Sequence, residues 1–488
     1  MEEKVEVKKN GGKKVLLFYL LAFLLFSAAC WLFFQYKYPC HFFYQEQNQL
    51  FLLDWEYVSS YFDKPGGLAR LGGDFLTQFY YYLYAGASIL TFCLLLSGIL
   101  LGCALRRFGL NSYVALAIAL AVIIFSAVCH FNVSYRLSET VSLFGWTLTL
   151  WLVSLIRNRW LRLSCLAIML LPAFLLFSYP HIRQLQQPNF ILEKDFAIDA
   201  EYRFNNYDHV VNMAENAEEL TEQMLFFYNL VQAQRDQLPD HLLRFTPNQL
   251  GTFYKIGPET PRLTIINMNE LYWALGDMTF TERAAMMTNV FASQNRNVRM
   301  IKRLAECAIV SKDTVAQQKF LRLLEKTLVY RQWAADARKG LFTHHDGHLY
   351  AQKMLLVPQR DTITTSDNAH HIMVQLLDRN PDNRIALDYM LCSDLLLKDI
   401  ESFKRDYDRY CLDDKRPVMM NRCFQKRLYQ EALCIWLAGT EAPQEQWERY
   451  IHLPKVLQRF QEYNQQRGST RFKDTYWYYF DKIKAPEI

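Results

Sequence analysis

The sequence predicts an all-α protein, in which about five transmembrane helices precede a soluble domain of helical repeats. Two observations support this prediction. The mean hydropathy of the 488-residue chain is nearly neutral, but the first 180 residues are strongly apolar and the rest have an ordinary soluble composition. In the soluble part, apolar residues recur every three or four positions, the period of an amphipathic helix. We therefore divide the chain into a basic N-terminus (1–14), a transmembrane domain (15–179) and a helical-repeat domain (180–488).

Five segments are apolar enough to cross a bilayer, which requires about 20 largely apolar residues per helix. The fourth segment is short and contains several threonines and serines, so it is the weakest candidate. The fifth contains Pro172, which a span tolerates when neighbouring helices satisfy the freed carbonyl group. The predicted spans are Val15–Phe34, Phe79–Leu105, Tyr113–Phe131, Thr140–Ile156 and Trp160–Tyr179.

Basic residues predict the orientation of these spans. They cluster before the first span, after the second, and between the fourth and fifth (Lys4, Lys8, Lys9, Lys13, Lys14; Arg106, Arg107; Arg157, Arg159, Arg162). Because lysine and arginine remain in cytoplasmic loops, we expect a cytoplasmic N-terminus and, after an odd number of spans, an extracytoplasmic C-terminal domain. The first apolar run is too long for a signal-peptide core and lacks a small-residue cleavage site, which predicts an uncleaved anchor.

The outer loop, residues 35–78, is the candidate functional region. The stretch His41–Val58 interleaves apolar residues with acids and amides, as an interfacial helix does. We expect the glycine pairs that follow to form a tight turn with positive φ, and Tyr80, Tyr81, Tyr82 and Tyr84 to lie at the headgroups. The candidate site residues are Gln45, Glu46, Gln49, Pro65, Gly66, Gly67, Gly72, Gly73, Asp74 and Gln78.

A catalytic interpretation of this loop is the alternative. Asp54, Glu56 and Asp74, together with Glu46, would have raised proton affinity beside lipid, which suits general acid or base chemistry. Their spacing matches no recognised catalytic motif, and the chain has no Gly-rich phosphate loop, HExxH sequence or nucleophile elbow. We therefore favour a structural role for the loop, with no catalytic residue and no cofactor.

Histidines and cysteines offer two further candidates. The histidines of "HHDGH" (His344, His345, His348) and "AHH" (His370, His371) suit zinc by type, but adjacent histidines point in different directions. We expect both groups in polar loops, with no metal. The eleven cysteines contain no CxxC pair and form a poor disulfide framework. A single bridge between Cys411 and Cys423 stays open.

Three segments of the soluble part resemble helices of tetratricopeptide repeats. They are "NELYWALGDMTFTERAAMM" (269–287), "PDNRIALDYMLCSDLLLKDIESFKRDY" (381–407) and "RLYQEALCIWLAG" (427–439). Arrays of this kind stack into concave binding surfaces. The segments "FFYQEQNQLFL", "PGGLARLGGDFLTQFYYY" and "DTYWYYF" resemble an uncharacterised bacterial, Bacteroidota-type family of multi-pass membrane proteins with a C-terminal tetratricopeptide-like domain. That resemblance implies a layout and no mechanism.

These observations favour a non-enzymatic interaction or assembly component of the cell envelope. It would lie in the bacterial inner membrane with a periplasmic C-terminal domain. Its partners would be the lipid bilayer and an envelope protein, and no nucleic acid, since the net charge of +5 is small for this length. The alternative is a reduced membrane glycosyltransferase-like enzyme that uses a lipid-linked sugar, with Asp54, Glu56 and Asp74 in its first outer loop.

Overall fold

A computed structural model describes residues 2–63, 65–169, 185–245, 262–292, 296–357 and 368–485. Throughout these ranges the regular secondary structure is helical, which confirms the all-α prediction for the described residues. The chain divides into two compact units. Unit 1 comprises Met1–Ala197, Ala292–Arg299 and Leu321–Lys339, and unit 2 comprises Ile198–Phe291, Met300–Phe320 and Gly340–Ile488.

The helices of the N-terminal part are α1 (Glu2–Tyr36), α2 (Cys40–Gln47), α3 (Trp55–Ser59), α4 (Gly67–Thr77), α5 (Ala85–Arg107), α6 (Ser112–Cys129) and α7 (Leu137–Ser154). A 3₁₀ turn, Gln78–Tyr81, connects α4 to the chain before α5, and residues 159–169 are also helical. Three helices contain residues of both units: α8 (Phe190–Arg203), α14 (Val298–Val310) and α15 (Thr314–Leu324). Unit 1 also contains α16 (Arg331–Arg338).

Within the described residues, three helices are long and apolar enough to cross a membrane: Val15–Tyr36, Ala85–Arg107 and Ser112–Cys129. They correspond to the first three predicted spans. The fourth predicted span coincides with α7, whose serines, threonines and Glu139 lower its hydropathy, and α7 is not among the three. The fifth predicted span, Trp160–Tyr179, continues beyond residue 169 into residues outside the described ranges, as does the predicted domain boundary at Pro180.

Small residues let the apolar helices of unit 1 approach closely. A Cβ atom on Gly98 of α5 would lie 2.8 Å from Phe23 of α1 and 2.9 Å from Ile123 of α6. Leu90 and Leu94, on the same helix, are fully buried. Gly98 therefore packs inside this chain's own bundle, the arrangement expected of small residues at helix contacts in lipid.

Unit 2 contains the helices α9 (Tyr207–Glu215), α10 (Glu222–Gln234), α11 (Leu238–His241), α12 (Arg262–Leu275), α13 (Met278–Phe291), α17 (His344–Leu356), α18 (Ala369–Arg379), α19 (Arg384–Leu396), α20 (Ile400–Cys411), α21 (Pro417–Gln425), α22 (Arg427–Gly439), α23 (Gln444–Tyr450), α24 (Pro454–Gln465) and α25 (Tyr476–Lys482). Aromatic and leucine side chains of many of these helices form one buried core, in which Phe227, Leu391, Phe403 and Tyr429 are inaccessible to solvent.

Short connections join neighbouring helices of unit 2 into hairpins. Between α12 and α13, Gly276 adopts a φ of +79°, and the Asp277 carboxylate accepts a hydrogen bond of 3.1 Å from the N–H of Phe280. Lys398 and Asp399 make the same kind of connection between α19 and α20, where Asp399 accepts from the Ser402 N–H at 3.0 Å. A positive-φ residue followed by a capping acid ends one helix and starts the next.

The last described helix, α25, packs against α19 within unit 2. The Tyr476 hydroxyl donates to the carbonyl of Leu395 at 2.9 Å, and the Tyr479 hydroxyl donates to that of Leu396 at 2.7 Å. These two bonds satisfy carbonyl groups at the C-terminus of α19, where intrahelical partners end. In the core of the same unit, Cys411 and Cys423 are buried free thiols.

Candidate functional site

The stretch Gln45–Gln49 ends α2 and buries side chains that water would otherwise solvate. Glu46 is 3% exposed, Gln47 2% and Asn48 8%. Burial of such groups is unfavourable unless they form hydrogen bonds, so almost all buried polar atoms in proteins have partners. The hydrogen-bond partners of this stretch therefore identify the chain segments that the outer loop contacts.

Two glutamines of the stretch bind backbone carbonyl groups. The Gln45 amide donates to the carbonyls of Val133 and Tyr135, both at 3.0 Å, in the connection between α6 and α7. The Gln49 amide donates to the carbonyl of Asp74 in α4, also at 3.0 Å. These two side chains thus tie α2 and its C-terminus to α4 and to the connection that follows the apolar helix α6.

The other residues of the stretch bind two segments from far along the chain. Asn297 donates its amide to the Asn48 side chain at 2.9 Å, and the Val298 N–H donates to the Gln49 carbonyl at 3.1 Å. Gln47 donates to the Tyr330 hydroxyl at 2.9 Å. Both distant segments, Ala292–Arg299 and Leu321–Lys339, belong to unit 1 for this reason.

Glu46 lies at the centre of this polar network. Its carboxylate accepts hydrogen bonds from Gln47 and from the Tyr330 hydroxyl, the latter at 3.3 Å. A cavity of about 10 Å³ adjoins it, lined by Glu46, Gln49, Phe51, Gln78, Val298, Thr327, Val329 and Tyr330. That is about the volume one water molecule needs, so the cavity has room for a bridging water and not for a substrate.

Asp74 ends a chain of hydroxyl groups in the same unit. The Tyr61 hydroxyl donates to the Asp74 carboxylate at 2.8 Å and lies 2.9 Å from the Tyr57 hydroxyl, which donates to the Leu50 carbonyl at 2.9 Å. Burial raises the pKa of Asp74, although the Tyr61 hydrogen bond and the charges of Arg136 and Arg70 oppose this. A half-buried acid whose carboxylate accepts from a tyrosine hydroxyl can hold or release a proton, which is the chemistry that a general acid needs.

The three acids of the catalytic alternative have different surroundings. Asp54 caps α3 by accepting from the Glu56 N–H at 3.1 Å, and it forms an ion pair with Lys326. The Lys326 hydrogen bond lowers the pKa of Asp54. Glu56 is exposed in the first turn of α3. Of the three acids, Asp74 is the one with a raised pKa, and its side chain is half-buried.

The glycines of "PGGLARLGGD" serve helix packing more than turn formation. Pro65 and Gly66 form the turn, and Gly66 has a φ of +75°. The other glycines lie within α4, contrary to the turn expected at both pairs. A Cβ atom on Gly67 would lie 2.7 Å from the Tyr61 carbonyl carbon, and one on Gly73 would lie 2.5 Å from the Ser138 nitrogen of α7.

The remaining glycine and the tyrosines also differ from expectation in part. A Cβ atom on Gly72 would lie 3.4 Å from the Val141 side chain, which is an ordinary contact. Tyr80, expected at the lipid headgroups, is 3% exposed and packs on Phe42, while Tyr82 and Tyr84 are about half exposed. Gln78 accepts from the Leu328 N–H at 3.3 Å, which adds another bond to the segment Leu321–Lys339.

Glu193 is a functional-site residue that the sequence did not indicate. It lies in α8, and its carboxylate accepts the N–H groups of Cys40 and His41 at the start of α2, the second at 3.2 Å. Pro39, the residue before α2, provides no side-chain cap, so Glu193 satisfies these free donors instead. Burial raises the pKa of Glu193 to about 7. Burial also lowers the pKa of His41 to about 3, so its imidazole is neutral.

Both histidine groups lie in first helical turns and not in the loops we expected. Thr343 caps α17 by accepting from the Asp346 N–H at 3.1 Å, and Asn368 caps α18 by accepting from the His371 N–H at 3.2 Å. His344 and His348 are exposed. His370 lies instead beside Asp394 and Asp406, an arrangement that the spacing of the sequence did not reveal.

The comparisons with known proteins agree with the expected membership of an uncharacterised family. A family model described as a family of unknown function, DUF6057, matches residues 13–185 and 178–483. No curated protein and no solved structure matches the chain. Because the family model spans both the apolar part and nearly all of the soluble part, the chain belongs to DUF6057, a family of unknown function.

Proposed function

We propose that this protein is a membrane-anchored scaffold of the bacterial cell envelope, whose helical-repeat domain binds a protein partner outside the cytoplasm. One observation carries the proposal. The polar residues of the outer loop use their hydrogen bonds to hold two segments from beyond residue 290, with a cavity of about 10 Å³ between them. A loop used in this way suits rigid anchoring of later chain segments better than it suits substrate turnover.

The proposed topology has five spans in the inner membrane, with α7 and Trp160–Tyr179 added to the three apolar helices. Arg106 and Arg107 occupy the last turn of α5, where cations also interact favourably with the helix dipole. Together with the basic N-terminus, they support a cytoplasmic N-terminus and a periplasmic C-terminal domain.

Unit 2 supports the binding role. Its hairpins α12–α13 and α19–α20 correspond to the segments that resemble tetratricopeptide repeats, which stack into surfaces for protein ligands. Large apolar side chains are exposed on this unit, among them Val315 (80%), Leu355 (78%) and Val418 (84%). Single exposed apolar residues are common on protein surfaces, so these three serve as probe positions distributed along the unit.

The test is site-specific photo-crosslinking in living cells. A photoreactive residue replaces Val315, Leu355 or Val418, one at a time, in the full chain. The proposal predicts that at least one position crosslinks to a single, reproducible envelope protein, and that the same residue at Gly109, in the predicted cytoplasmic connection after α5, does not. Failure of all three positions, with normal protein levels, would contradict the scaffold.

A glycosyltransferase-like enzyme is the second candidate, and the half-buried Asp74, hydrogen-bonded to Tyr61, favours it. The replacements Asp54→Asn, Glu56→Gln and Asp74→Asn distinguish the two functions. The enzyme predicts that Asp74→Asn abolishes a glycan product while the protein level stays normal. The scaffold predicts unchanged envelope glycans and unchanged crosslinking.

A further inference from the structure

Three side chains of unit 2 come together from three successive helices. His370 belongs to the first turn of α18, Asp394 to the last turn of α19 and Asp406 to the middle of α20. One possible ligand atom of each lies within 4.8 Å of the other two. The His370 Nε2 atom is 2.5 Å from an Asp406 carboxylate oxygen.

One carboxylate oxygen of this cluster, on Asp394, lacks a hydrogen-bond donor among the described residues. The residue is 6% exposed, and its Oδ2 atom has no hydrogen-bond partner among the described residues. A buried carboxylate oxygen without a donor is strongly unfavourable unless a cation or donor pairs with it. His370 and Asp406 each offer a possible ligand atom within 4.8 Å of an Asp394 carboxylate oxygen.

The surrounding charge also favours a cation. Asp399, which caps α20, adds a third carboxylate nearby, while Arg405 binds Asp406 through two contacts of 3.2 Å. Three carboxylates therefore surround the site with one guanidinium, although the hydrogen bond with Asp406 also raises the pKa of His370 and favours a positive imidazole. The Arg405 side chain is 61% exposed, so water remains able to solvate it when Asp406 binds another cation.

We propose that His370, Asp394 and Asp406 bind a divalent transition-metal ion, with Zn²⁺ the best match. One imidazole nitrogen and two carboxylate oxygens are ligands that Zn²⁺ accepts, and three protein ligands leave a fourth position for water or a partner's side chain. The ion joins α18, α19 and α20. It takes the place of the proton between His370 and Asp406, so its binding releases protons.

The experiment uses the full chain in detergent, purified without a polyhistidine tag, and Zn²⁺ titrated against a chromophoric chelator. The wild type is expected to bind one Zn²⁺ ion. The variants His370→Gln and Asp394→Asn should bind Zn²⁺ at least about tenfold more weakly, since loss of a residue that only supports a metal ligand already weakens binding by that factor. The matched control is His371→Ala, which removes the exposed neighbour in the same dipeptide and is expected to bind like the wild type.

Two further measurements make the result decisive. Zn²⁺ is expected to raise the unfolding temperature of the wild type and of His371→Ala, but not of Asp394→Asn. The metal-free Asp394→Asn protein should unfold at or above the wild-type temperature, which shows that it is folded. The proposal is overturned if the wild type binds no Zn²⁺, if all variants bind equally, or if the site disappears instead in His344→Gln, which removes the exposed histidine four residues before His348.

Discussion

Replacement of Tyr330 by phenylalanine probes the polar network of the outer loop. The Tyr330 hydroxyl accepts from Gln47 at 2.9 Å and donates to Glu46 at 3.3 Å, and all three residues are buried. Phenylalanine keeps the ring and leaves these two polar groups without that partner. An unsatisfied buried group is unfavourable by about 1–3 kcal/mol, so we expect a local destabilisation of about 2 kcal/mol.

Hydrogen exchange of the purified full chain measures this effect at two backbone amides. The Leu53 N–H donates to the Lys326 carbonyl at 2.6 Å, and the Val298 N–H donates to the Gln49 carbonyl at 3.1 Å. A loss of about 2 kcal/mol should speed their exchange roughly 30-fold, since 1.4 kcal/mol corresponds to a factor of ten.

A second tyrosine provides the matched control. Tyr350 of unit 2 is also buried, and its hydroxyl donates to Glu306 at 3.5 Å. Tyr350→Phe should leave the exchange of Leu53 and Val298 unchanged. If Tyr330→Phe changes their exchange by less than about twofold, the network does not hold the two segments and the reasoning is refuted.

Three more predictions concern unit 1. The pKa of Glu193 is about 7 in the folded protein, against a usual value of 4.5, so ionisation of this carboxyl group destabilises the fold. The free energy of unfolding should therefore fall by about 3 kcal/mol as the pH rises from 4.5 to 7, since one pKa unit corresponds to 1.36 kcal/mol. Glu193→Gln should flatten this profile in thermal unfolding, and an unchanged slope would contradict the assignment. Gly73→Ala should lower the unfolding temperature, because the added Cβ atom would meet the Ser138 backbone. The control Gly145→Ala places a Cβ atom in open space on α7 and should leave the unfolding temperature unchanged. Equal effects of the two replacements would refute the packing argument. Asp74→Asn should unfold at or above the wild-type temperature at pH 8, because burial raises the pKa of Asp74, and a marked drop would show that its charge stabilises the fold.

The helical architecture could be predicted because it depends on local patterns. Apolar runs of about 20 residues and three-to-four periodicity indicate helices wherever they occur, and the bounds of α5 and α6 follow the predicted second and third spans closely. The N-terminus of α5, the helix of the second predicted span, lies six residues later than predicted, at Ala85, since Tyr84 adopts a φ of +68° and a 3₁₀ turn precedes it. A hydropathy profile of the sequence cannot indicate a positive φ angle or a 3₁₀ turn of this kind.

The sequence indicated the outer loop as a candidate site but gave no information on the contacts of its residues. The five polar residues Gln45–Gln49 marked the outer loop as unusual, yet their partners Asn297 and Tyr330 lie about 250 residues or more away along the chain. The Glu193 carboxylate accepts hydrogen bonds at the start of α2, about 150 residues earlier in the chain, and no local sequence pattern indicates that contact. The same reasoning explains why the histidine spacing missed His370 with Asp394 and Asp406: tertiary packing, and not spacing, brings them together.

The central claim is that the outer loop and the segment Leu321–Lys339 fold together on one side of the membrane. The replacements Asp54→Cys and Lys326→Cys, at two side chains that form an ion pair, test it directly with a short thiol crosslinker that cannot cross the membrane, added to spheroplasts. The account predicts that mass spectra of the double variant contain a linkage between positions 54 and 326, and that those of neither single variant do. Absence of that linkage, when each single introduced cysteine is labelled from outside, would contradict the account.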